Sequence, residues 1–240
     1  MKIITRKKIE YRLDRETKTA IVRDYKGESV DVRIPKYVRY RFRKYKVTEI
    51  GVKAFYDCDS LKSITIPDSI TTIEHKAFCD CDSLKSITIP DNVIKIEDSA
   101  FERCVSLESI TIPDGITIGE GAFFGIGLIL PEKYTDDGRL IAYKAFNADM
   151  TCREFQYEEG KTYEIEGKIK RCEWGIHACT SILDVFNYYH GKIGTDIFIH
   201  EVYLSGEIDN NNNYDSKVCA SKIEIGPRLN IKDINNVINN

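Results

Sequence analysis

The chain is poor in the features that mark several common protein classes. Only six of its 240 residues are proline, too few for a collagen-like or Pro-rich disordered chain. Neither sign of charge is in excess: 35 basic residues face 38 acidic ones, for a formal charge of −3, and 42% of the chain is hydrophobic. Intrinsic disorder and a simple coiled coil are excluded by that balance. No run of eighteen apolar residues exists, so a membrane-spanning helix is not expected. The opening, MKIITRKKIEYRL, breaks every short apolar stretch with charge where a leader needs an unbroken one, and the expectation is a soluble, cytoplasmic, unexported protein with no membrane partner. No Gly-rich phosphate loop, G-x-S-x-G or H-E-x-x-H motif is present.

What is there is a repeat. Ala54-Phe55, Ala77-Phe78 and Ala100-Phe101 are spaced by 23 residues, and Ala122-Phe123 follows after 22. The string DCDSLKSITIPD occurs at 57–68 and 80–91 and returns as RCVSLESITIPD at 103–114. Within a unit, Ile64 and Ile66 alternate with Ser63 and Thr65, the period of a strand with one apolar face, and Pro67 ends it. One unit cannot cover its own apolar face. Stacked units would align Ile50, Ile73, Ile96 and Ile118, the four Phe residues, and Leu61, Leu84 and Leu107 as ladders, which describes a solenoid. Cys58, Cys81 and Cys104 share the period and read as small buried side chains. With Cys79, Cys152, Cys172, Cys179 and Cys219 they are expected as reduced thiols.

These units resemble the BspA-like, Treponema-type leucine-rich repeats, and IEYRLDRETKTAIVRDYKG followed by VTEIGVKAF resembles the β-rich cap before them. The resemblance implies a cap over 1–46 and about four repeats over 47–131. The outward column of Ser63, Thr65, Ser86, Thr88, Ser109 and Thr111 reads as solvated surface, since interface hot spots favour Trp, Tyr and Arg. Asp57/Asp59 and Asp80/Asp82 read as turn residues, lacking the glycine and distal glutamate of a calcium loop.

Seven basic residues and no acidic one lie between Arg33 and Lys46, leaving the rest of the chain at −10. Arg39, Arg41 and Arg43 alternate with Tyr40 and Phe42. On one strand this would form a row of guanidinium groups able to meet nucleic acid or another polyanion, with the aromatics turned inward to cap the first repeat. The alternative is a charged edge strand that resists edge pairing.

After Pro131 the period stops, and 132–139 reads as a linker. From Leu140 the pattern predicts an α+β domain over 140–240: strands at LIAYKAF, around Lys161–Cys172, at Gly175–Ala178, Ile197–Leu204 and Lys217–Ile225, and a short last helix over Asn230–Ile238. Another helix is expected over Ser181–His190, opened by a Ser181–Asp184 capping box and closed by Gly191. YKAFN, CREFQYEEGKTYEIEG, CEWGIHAC and DVFNYY resemble an uncharacterised domain of bacteriophage and prophage proteins. GIHACTSILDVFNYY followed by DIFIHEVYLSGEI is similar, more distantly, to the core of ADP-ribosyltransferases of the poly(ADP-ribose) polymerase type. That second resemblance implies NAD as cofactor, His177 at the NAD-stacking position and Tyr188 beside the pocket. Lys144 falls on the ribose-binding strand, and Glu224 or Asp215 is the candidate catalytic carboxylate. The strand meant to carry that carboxylate reads SKVCASKIEI, rich in lysine.

Cys172, His177 and Cys179 lack a usual zinc spacing and no metal is expected; a Cys/His nucleophilic pair such as Cys179 with His200 is open to the sequence, but their apolar neighbours at alternate strand positions favour buried thiols. The reading is therefore a non-enzymatic interaction protein without a cofactor, whose repeats carry a phage-type domain that binds a host component. The alternative is an NAD-dependent ADP-ribosyltransferase or an inactive nucleotide-binding relative.

Overall fold

The structure, a computed structural model, describes residues 2–127, 131–169, 175–210 and 216–239. The chain divides into two compact units, residues 1–128 and 129–238.

The first unit opens with an antiparallel meander of β1 (Lys2–Arg6), β2 (Ile9–Leu13) and β3 (Thr19–Tyr25). Then come β4 (Asp31–Arg33) and a hairpin of β5 (Tyr37–Tyr40) with β6 (Arg43–Ile50). Each repeat adds two short strands: β7 (Ser63–Thr65) and β8 (Thr72–Ile73), β9 (Ser86–Thr88) and β10 (Lys95–Ile96), β11 (Ser109–Thr111) and β12 (Thr117–Ile118). They form two parallel columns. In one, β6, β8, β10 and β12 bring Ile50, Ile73, Ile96 and Ile118 into register. The other runs β4, β7, β9, β11. The cap thus supplies the first rung of both columns, and a boundary at 46/47 falls inside β6.

Between the columns the rings of Phe55, Phe78, Phe101 and Phe123 stack at centroid distances of 5.2, 5.2 and 5.7 Å, with Tyr25 of β3 set 5.4 Å from the first. All four phenylalanines are fully buried, each worth about 1.5–3 kcal/mol of transfer free energy. The cysteine ladder is more than filler: Cys81 Sγ donates to the Phe55 carbonyl at 3.0 Å and Cys104 Sγ to that of Phe78 at 3.1 Å. Every coil also turns through two left-handed residues: Lys53 and Asp57, Lys76 and Asp80, Ser99 and Arg103, then Gly121 and Gly125. Asp57 and Asp80 are therefore turn residues. The outward Ser/Thr column is exposed to half-buried.

The basic stretch is not one strand. The chain reverses between Tyr40 and Arg43, Arg41 takes φ +53° at the turn, and Phe42 is fully exposed. Paired residues of a hairpin share a face, so Arg39 with Lys44 looks one way and Tyr40 with Arg43 the other. The aromatic that packs inward is Tyr45, with Val38.

The second unit contains β13 (Lys133–Tyr134), β14 (Leu140–Asn147), β15 (Thr151–Cys152), β16 (Phe155–Gln156), β17 (Thr162–Glu164) and β18 (Ile176–Cys179). The two-residue β19 (Gly191–Lys192), the long β20 (Ile197–Asp209) and β21 (Lys217–Arg228) follow, and α1 (Ile231–Asn239) ends the chain. β14, β20, β21 and β18 pair antiparallel in a closed ring around Leu140, Ala142, Phe146, Val202, Leu204 and Ile223. β14 and β18 meet through one residue pair, Tyr143 and Cys179.

Three expectations are corrected here. The stretch 132–139 is the first arm and turn of a hairpin, β13 pairing with β14 and Thr135 N donating to the Arg139 carbonyl at 2.9 Å. The unit is mostly β rather than α+β. The helix expected over Ser181–His190 is a single 3₁₀ segment, Leu183–Asn187. Asp184 is drawn away from capping, because its carboxylate accepts from Ser216 N at 2.9 Å and from Asn187 Nδ2 at 3.0 Å. The capping box is instead at α1, where Asn230 Oδ1 accepts from Asp233 N and Asp233 Oδ2 accepts from Asn230 N, both at 3.0 Å.

Candidate functional site

Where β14 and β18 diverge, a pocket of about 620 Å³ cuts into the second unit, ample for a drug-sized molecule. Its floor is Lys144. Successive strand residues face opposite sides, so Lys144 shares a row with Leu140, Ala142 and Phe146, three members of the apolar core. It is only 5% exposed. Its Nζ donates to the His177 carbonyl at 2.9 Å and lies 5.8 Å from the ring centroids of Phe146 and Tyr157 and 6.0 Å from that of Tyr189. Among the described residues no carboxylate pairs with it. Burial pushes the amine below the ordinary lysine range, and contact with the Cys152 and Cys179 sulfurs pulls partly back.

The walls are aromatic. Phe155, Tyr157 and Tyr163 pack edge-on or tilted at 4.7–5.5 Å, on β16, β17 and the segment between them. Opposite stand Tyr188 and Tyr189. The Tyr189 hydroxyl lies 2.8 Å from Cys152 Sγ, and burial raises its pKa; burial also pushes Tyr143 and Tyr157 up to about 12. At the rim are Arg153 and Lys217, whose ammonium sits 4.5 Å from the Tyr188 ring centroid. The acidic residue of the lining, Glu164, is paired with Lys222 at 3.1 Å. The pocket therefore joins flat apolar walls to an excess of positive groups.

Lys144, His177 and Tyr188, singled out in the sequence, line this one pocket; Glu224 does not. Its carboxylate is held 2.7 Å from Arg139 Nη1, which leaves it occupied and apart. Asp215 and Cys172 lie outside the described residues, and among the described residues no group of three or more His, Cys, Asp or Glu could hold a metal. The Cys179–His200 pair is not made: His200 Nδ1 bonds the Gly226 carbonyl at 3.0 Å, and its buried Nε2 has no partner among the described residues. Sequence reasoning missed Tyr157, Tyr163 and Tyr189 as walls and Cys152 beside the amine. One signal was available: a lysine in the apolar row of LIAYKAF.

Arg39, Arg41 and Arg43 belong to the first unit. No acidic side chain pairs with them among the described residues; Arg41 lies 5.5 Å from the Tyr40 ring centroid, and Lys44 sits 3.6 Å from that of Tyr37.

Comparison with known proteins decides the first unit. The family described as the BspA type leucine rich repeat region matches residues 48–169, in six copies. The chain belongs to this BspA-type leucine-rich repeat family. The match runs past the last stacked ring, Phe123, into strands of the second unit. Among solved structures, a T. pallidum leucine-rich repeat protein is 31% identical, over 52% of this chain and 58% of its own, with a TM-score of 0.47. A leucine-rich repeat protein from Bacteroides capillosus ATCC 29799 is 30% identical over 50% of this chain and 89% of its own, also at 0.47. Curated proteins give no match. Residues 140–237 match a domain of unknown function, DUF7666, so the pocket must be read from its own geometry.

Proposed function

We propose that the chain is a binding protein with two tasks. The BspA-type repeats are a scaffold for a protein partner, as solenoid surfaces commonly are. The basic tip of the β5–β6 hairpin is the place where an acidic partner or polyanion would dock. The second unit receives a small ligand that joins a flat ring to an anionic group, a class that includes nucleotides. One observation carries this reading: Lys144 is buried at the floor of an aromatic pocket, and among the described residues no carboxylate pairs with it. A buried cation is costly unless paired, and a ligand anion would complete the pair while its ring lay against Tyr157 and Tyr189.

Binding rather than NAD turnover is favoured because, among the described residues, Glu224 is engaged by Arg139 away from the pocket and Glu164 of the lining is paired with Lys222, leaving no free carboxylate there to stabilise positive charge on a ribose. The test is a thermal shift of the full chain with AMP, NAD and terephthalate against neutral adenosine. A saturating ligand at about 100 times Kd adds about 2.7 kcal/mol, so the anions should raise Tm by several degrees, adenosine should not, and Lys144→Met should abolish the effect. Equal shifts with adenosine, or none with any anion, would refute the reading. Nicotinamide release from NAD would establish turnover instead.

A further inference from the structure

Attracting an anion does not require an amine to leave water; the rim position of Lys217 would serve. Lys144 is instead built into the apolar interior of β14, opposite His200 of β20, whose own Nε2 is buried without a partner among the described residues. Among the described residues its ammonium would have two acceptors, the His177 carbonyl and the Cys152 sulfur, for three protons. Without a ligand the surroundings therefore favour a neutral amine, the reactive form of lysine; an anion at the floor would restore its proton, whereas a ligand whose anion meets Arg153 and Lys217 of the same lining would offer its carbonyl to the lone pair.

Resting on the pocket's reading as an anion receptor, we propose that Lys144 captures an aldehyde or ketone as an imine, the carbonyl being carried by the same flat, anionic ligand. The Nζ lone pair attacks the carbonyl carbon and forms the C–N bond, while the carbonyl oxygen takes up a proton to give a carbinolamine. Loss of that oxygen as water leaves the C=N bond; hydrolysis restores the amine. Nothing is oxidised or reduced.

Three features of the pocket serve this chemistry. Burial lowers the affinity of Nζ for a proton. The hydrogen bond to the His177 carbonyl fixes where the amine sits. Beside it the Cys152 thiol and Tyr189 hydroxyl, 2.8 Å apart, form a short proton-bearing pair within the desolvated site. A phenol kept protonated by burial can lend a proton to the departing oxygen and recover it from the iminium.

The experiment treats the full wild-type chain with 4-carboxybenzaldehyde, reduces any imine with sodium cyanoborohydride and maps the modified peptides. Lys144 is expected to carry at least tenfold more label than the median exposed lysine. Excess terephthalate, which has the anion and ring without the aldehyde, should protect it, and Tyr189→Phe should slow labelling several-fold. Label spread over exposed lysines with Lys144 at or below their median would overturn the proposal, and since this readout comes from the wild type it does not depend on a variant folding. If terephthalate still raises Tm through Lys144 while no label appears there, imine capture falls and the anion-receptor reading stands. If neither occurs, both fall.

Discussion

The repeats and the C-terminal unit solve burial in opposite ways. In the repeats each buried side chain rests on a copy of itself one coil away: Ile on Ile, Phe on Phe, Cys thiol on the preceding coil's carbonyl. Polar burial there is settled locally, as with Ser69, whose hydroxyl donates to the Val47 carbonyl at 2.6 Å. In the C-terminal unit, among the described residues, Lys144 and His200 stand in the interior with hydrogen-bonding capacity left over. The first arrangement is what a scaffold needs. The second departs from consistent packing in the way functional sites do.

The strongest test of this contrast is Phe78→Ala. Its ring is fully buried and stacked on both sides, so the substitution should cost about 3–5 kcal/mol in chemical denaturation; a loss under about 1 kcal/mol would show that the ladder is not the core. Next, Lys144→Met should stabilise the protein by about 1–3 kcal/mol, the scale of an undercompensated buried polar group. A group with a lowered folded pKa binds fewer protons folded than unfolded, so wild-type stability should rise with pH toward the ordinary lysine value of about 10.4, and the variant's advantage should shrink along that climb. A constant gap across pH 7–10 would mean that the amine is not desolvated.

Smaller still is Ser99→Gly. Ser99 holds φ +55° where the next coil has Gly121, and relief of left-handed strain, less the entropy of glycine, should yield about 0.5–1 kcal/mol; a loss would mean that the coils are not equivalent there. Least visible in stability is the triple Arg39→Ser, Arg41→Ser, Arg43→Ser variant, expected within about 0.5 kcal/mol of wild type. It should elute from heparin at distinctly lower salt. Unchanged elution would remove the hairpin tip as a docking site.

The repeats were legible in sequence because the apolar period and the structural period coincide; copying a pattern 23 residues on also copies its contacts. Where tertiary contacts decide, the pattern misled. Ser181-x-x-Asp184 has the form of a capping box, yet Asp184 is used by Ser216, and Asn230-x-x-Asp233 caps the true helix. Arg39 to Arg43 alternate like a strand, yet the chain reverses at Arg41–Phe42. Lys144, His177 and Tyr188 were reached through a resemblance whose helix is here a short 3₁₀ segment and whose candidate Glu224 is held by Arg139. The tyrosine walls were out of reach, because which residues face one another across β14, β17 and β18 depends on register, which no single strand encodes.

The thiols that hold one coil to the next also make the repeats a ruler of their own opening. An alkylating reagent can reach Cys81 or Cys104 only after the hydrogen bond to the neighbouring coil has parted. Because a solenoid's coils depend on adjacent coils more than on distant ones, the order in which these sulfurs become reactive would record from which end the stack unzips, without any reporter residue being introduced.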